Sequence, residues 1–152
     1  MTKYIFSFLL IFALVSTSFM MDGGDKLKVK FKKGTILVEK KAWGNYKRTG
    51  AKDFYSTLSG VEYIGVNGLS YGTGKYFTDS KGVKREYSHF YSEIHFLTTE
   101  IEKFETDLVH KELVRALIAD KVIENDVFNK ENAEKFKTKY EDNISEKRFL
   151  TK

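Results

Sequence analysis

VKREYSHFYSEIHFL, Val83 to Leu97, alternates its side chains and so reads as one long β-strand. Successive residues of a strand point to opposite faces. Tyr87, His89, Tyr91, Glu93 and His95 therefore share one face, and Phe90, Ile94 and Phe96 share the other with Ser88 and Ser92.

Working back from this strand, the same period of two recurs. Asp79-Ser80-Lys81-Gly82 reads as a four-residue turn entered from LSYGTGKYFT. Asn67-Gly68 carries the strongest two-residue hairpin signal, because a type I′ turn needs positive φ, which asparagine and glycine tolerate. DFYSTLSGVEYIGV splits into two strands around Ser59-Gly60. TILVEKK is a strand that follows a turn at Lys33-Gly34. In DKLKVKFKKG, from Asp25, Leu27, Val29 and Phe31 alternate with Lys26, Lys28, Lys30 and Lys32, an apolar face backed by a lysine face.

Working forward, the period changes after Leu97. Ile101, Phe104 and Leu108 fit a helix, but KFETDLV also fits a last strand, which is the reading adopted. HKELVRALIADKVI then sets Leu113, Val114, Leu117 and Ile118 on one helical stripe. Asn129 is placed to cap KENAEKFKTKYED, where Ala133, Phe136 and Tyr140 share a face. ISEKRFL closes the chain, with Ile144, Phe149 and Leu150 available to dock on the core. The expected fold is α+β: an antiparallel meander of about six strands running to about residue 109, then two C-terminal helices packed on one face.

The first residues, MTKYIFSFLLIFALVSTSFMMDGGDK, have the form of a signal peptide. Lys3 is the basic start, Ile5 to Val15 the apolar run, and Ser16-Thr17-Ser18 the small residues of a cleavage site after Ser18. Residues 19–152 are then one domain. An uncleaved signal segment is the one route to the membrane that the sequence offers. There is no cysteine, so an exported chain of this kind is held by packing rather than disulfides, with 10 phenylalanines, 8 tyrosines and 1 tryptophan in residues 19–152 as material. A disulfide-free exported domain points to a bacterial periplasmic, cell-surface or secreted protein.

The formal net charge is +5, with the excess of lysine in residues 19–97. That half could meet an anionic envelope component, and Lys26, Lys28, Lys30 and Lys32 form a row of cations about 7 Å apart that could track a polyanion. The plainer role of such a row is to guard a sheet edge against aggregation. No nucleic-acid motif is present.

His89, Glu93 and His95 raise the question of a metal or catalytic site. Six residues separate the two histidines, roughly 20 Å along a strand, too far to share an ion. Glu93 and His95 make at best half a site, needing a ligand such as His110 from elsewhere, and no metal or other cofactor is expected. The glycines from Gly65 to Lys75 do not form a phosphate loop, since Leu69 stands where a glycine is needed and Tyr76 follows Lys75. They read as a hairpin turn and a bulged strand, and Trp43-Gly44-Asn45-Tyr46 as a second candidate loop.

No serine elbow, cysteine nucleophile or H-E-x-x-H pair occurs, so the leading reading is non-catalytic. The chain is expected to bind a protein partner or an envelope component through its sheet face. A carbohydrate- or polyanion-binding module is the first alternative, with Tyr87, Tyr91, Trp43 and Tyr46 as stacking groups beside His89, Glu93 and His95. A metal-dependent or carboxylate hydrolase is the second.

Overall fold

The computed structural model describes residues 26–150, and for Phe149 and Leu150 the backbone alone. The expected signal segment and its cleavage site lie outside these residues. The chain runs β1 (Val29–Lys32), β2 (Thr35–Val38), β3 (Lys41–Thr49), β4 (Lys52–Ser56), β5 (Glu62–Thr78), β6 (Lys84–Phe96), β7 (Phe104–Thr106), α1 (His110–Ala119), β8 (Ile123–Glu124), β9 (Val127–Phe128), α2 (Lys130–Tyr140) and α3 (Ile144–Leu150). The first seven strands form one antiparallel sheet in chain order, and β8 and β9 a small separate hairpin.

This is the expected α+β meander, with a last strand after Leu97 as read. Two segments differ. Asn67-Gly68 is not a turn: it lies within β5, opposite Glu93 and Ser92 of β6. Neither residue takes the positive φ that a type I′ turn requires. Trp43 to Tyr46 is not a loop but the middle of β3. Gly44 faces Ile36 while Ala42 faces Leu37, so Trp43 is the extra residue of a bulge. The added strand brings the sheet to seven.

The turns at Lys33-Gly34 and Asp79 to Gly82 stand where expected, Gly34 at φ 81°. Gly44 serves a different need. A Cβ there would sit 2.8 Å from the backbone oxygen of Ser56, so only glycine lets β3 and β4 approach this closely.

Alternation then decides the core. Ile36, Tyr55, Ile64, Val66, Ile94, Phe96 and Phe104 are buried together on one face, with Leu113, Val114 and Leu117 of α1 and Ala133 and Phe136 of α2 against them. The Phe136 ring meets Phe96 edge-on at 6.1 Å and Tyr140 at 4.6 Å. Asn129 caps α2 as expected, its Oδ1 accepting the Asn132 N–H at 3.0 Å. Burial pushes the phenols of Tyr55 and Tyr63 far above their ordinary values.

The last helix lies beside β7. Glu105 accepts the Asp142 N–H on its carbonyl and the Ser145 N–H on its carboxylate, the latter at 2.7 Å, and Ile144 is buried. This helix was legible in the sequence only as a docking tail.

Candidate functional site

The two longest strands set the site. β4 pairs with β5 only as far as Asn67, and β7 pairs with β6 only from Ser92 to Ile94. Beyond those points β5 and β6 continue, paired with each other from Gly68↔Ser92 to Thr78↔Lys84, as a two-stranded ribbon that leaves the body of the domain. Three residues of β5, Thr73 to Lys75, bulge opposite Tyr87, held by hydrogen bonds from Thr73 Oγ1 to the Tyr87 carbonyl and from the Gly74 N–H to Glu86.

The ribbon is rich in exposed apolar groups. Phe90 is 64% exposed, Tyr76 55%, Tyr87 52%, Val83 49% and Phe77 37%. Phe90 lies on the face that carries the core further down, past the point where the helices cover it. On the opposite face Phe77 packs against Tyr87 at 4.6 Å, and Tyr71 lies 5.2 Å from His89 and 6.1 Å from Tyr91. Together these rings make an aromatic stripe along the reverse face of the ribbon.

The row Tyr87, His89, Tyr91, Glu93, His95 thus shares one face as read, but its members meet different surroundings. Tyr87 is open to solvent and Tyr91 is buried, its phenol pushed up by burial and by the Glu105 carboxylate. His89 Nε2 lies 2.7 Å from Asp107, just past β7. Glu93 is 3.9 Å from the Lys103 ammonium, and His95 lines a small recess with Lys52, Phe54, Asn67 and Glu93.

His110 is on the other side of the sheet. It borders a cleft of about 650 Å³ with Phe31, Tyr46, Arg48 and Asp53, so it does not join Glu93 and His95. Among the described residues no group of three or more His, Cys, Asp or Glu is placed to hold a metal ion. Arg48 and Asp53 in the cleft form a two-pronged ion pair at 2.7 and 2.9 Å.

The proposed stacking groups of β3 point elsewhere. Tyr46 meets Phe31 edge-on at 5.1 Å, and both Trp43 and Tyr46 pack against the core rather than beside Tyr87. Lys26, Lys28, Lys30 and Lys32 are all exposed, the last two on β1, the edge strand of the sheet.

Sequence reasoning missed Tyr71, Tyr76, Phe77, Phe90 and Asp107. For Tyr71 the signal was the alternation, which runs through Asn67-Gly68 once that pair is not taken as a turn; Tyr76 and Phe77 follow the Thr73–Lys75 bulge, and Phe90 had its face assigned but not its exposure. Compared with known proteins, the chain matches no protein-family model, no curated protein and no solved structure. Among the described residues no helix is long and apolar enough to cross a membrane.

Proposed function

We propose that this is an exported, non-catalytic binding domain of the bacterial envelope or its surroundings, and that it engages its partner through the distal half of the β5–β6 ribbon. One observation carries the reading: the ribbon leaves Tyr76, Tyr87 and Phe90 each more than half exposed on strands that the rest of the domain does not cover. A two-stranded ribbon is at best marginally stable in water, and exposed aromatics of this kind are the usual anchors of an interface. The rest of the molecule, with its packed core, then acts as the rigid base from which the ribbon projects.

The carbohydrate reading loses support, because Trp43 and Tyr46 pack against the core away from Tyr87. A hydrolase would need groups converging on a cleft, and His89, His95 and His110 stand in separate places.

Retention of the full chain on separated envelope fractions tests the proposal. One fraction is expected to hold the protein, and a Tyr87→Ser, Phe90→Ser variant with unchanged Tm is expected to be released. Equal retention of the variant on every fraction would refute this reading.

A further inference from the structure

We infer that the free edge of β6, Lys84 to Phe90, is a strand-addition site for an extended acidic segment of a partner protein. The inference rests on the binding reading above and names the partner class. Among the described residues no strand pairs with β6 on this edge before Ser92, opposite the last residue of β7. The backbone N–H and C=O groups of that edge can therefore accept another strand, continuing the sheet in the position that β7 occupies lower down.

The other exposed edge of the sheet is treated differently. Just before β1, Arg115 of α1 donates to the Leu27 carbonyl at 2.8 Å, and a lysine row flanks the strand. Those are the devices by which sheets blunt an edge. On the ribbon the bulge falls in β5, leaving β6 regular.

Charge selects among occupants. The two acids of the distal ribbon are used internally: Asp79 accepts from Arg85 and from the Lys81 and Val83 N–H groups, and Glu86 from the Gly74 N–H. Lys75, Lys81 and Lys84 have no acid partner among the described residues, and the Lys84 Nζ sits 4.6 Å over the Tyr76 ring. A second copy would bring like charges together. A hydrocarbon membrane core would leave the edge backbone groups unsatisfied. An incoming strand that is acidic toward the tip, beside Lys84, and apolar toward the root, beside Tyr87 and Phe90, meets both requirements.

The test is amide hydrogen exchange on the full chain with a short synthetic peptide of alternating valine and threonine carrying glutamates at one end. At a peptide concentration a hundred times its Kd, exchange of the edge amides between Lys84 and Phe90 should slow roughly a hundredfold. A peptide of the same sequence with alternate amides N-methylated should give no protection, and one with lysines for glutamates should bind more weakly. Three results would overturn the inference: no protection by the peptide, protection of the same amides by concentration-dependent dimerisation of the chain alone, or equal protection by anionic phospholipid vesicles. Loss of envelope retention in the Tyr87→Ser, Phe90→Ser variant without peptide protection would leave the binding reading standing and remove this one.

Discussion

Phe77 of β5 and Tyr87 of β6 meet with ring centroids 4.6 Å apart, on the face of the ribbon opposite Phe90. The pair stands beyond the reach of the core and ties the two strands of the ribbon to each other. An aromatic pair contributes about 0.5–1.5 kcal/mol beyond its buried area. Tyr87→Ala should therefore speed amide exchange between Tyr76 and Glu86 by up to about tenfold, while Tm stays nearly constant because the ribbon opens independently of the core. A large fall in Tm would mean that the ribbon folds as one unit with the domain.

Gly44 is the opposite case, a residue with no side chain on which two strands depend. Gly44→Ala places a methyl 2.8 Å from the Ser56 carbonyl oxygen, a backbone atom that can move only if β3 and β4 separate. The expected cost is about 1–3 kcal/mol, read as a lower denaturant midpoint at unchanged slope. A neutral result would show that β3 and β4 part there without penalty.

The two halves of the β6 pattern show what alternation can and cannot reveal. It placed Tyr87, Tyr91 and Glu93 on one face and Ile94 and Phe96 on the other, as the register has them. Tyr87 and Tyr91 nevertheless differ, one open and one buried, because burial along a strand depends on what packs beside it, here β7 and α3. The Leu113 stripe and the Asn129 cap were readable because each is local to its helix. Asn67-Gly68 misled because a two-residue preference lost to cross-strand pairing with Glu93 and Ser92. The meeting of His89 with Asp107 joins residues 18 positions apart and has no local signature.

Phe136 and Phe90 separate these levels experimentally. Phe136 is fully buried against Phe96, Phe104 and Tyr140, whereas Phe90 is 64% exposed. Phe136→Ala should cost about 3–5 kcal/mol, much of the stability of a domain this size. Phe90→Ala should stay within about 0.5 kcal/mol of the parent. Paired urea titrations decide it, and comparable losses would place Phe90 in the core and remove it from the proposed interface.

The tip of the ribbon should report pH through Asp79. Its carboxyl is held below the ordinary range by the hydrogen bond from Arg85 Nε at 2.6 Å, then by the Val83 and Lys81 N–H groups. A carboxyl lowered by folding binds a proton more weakly in the ordered tip than in the disordered one, so order is favoured wherever the carboxyl is ionised. The tip should be fully ordered above the ordinary aspartate value of about 3.9 and should loosen as pH falls through the lower folded value. Amide chemical shifts of Lys81 and Val83 followed through an acid titration would show this transition, with the domain still folded by its far-ultraviolet signal. In Asp79→Asn the acid transition of those two amides should vanish, and their exchange should already be faster at neutral pH. A midpoint at or above the ordinary value in the parent chain would mean that the Arg85 contact does not form in solution.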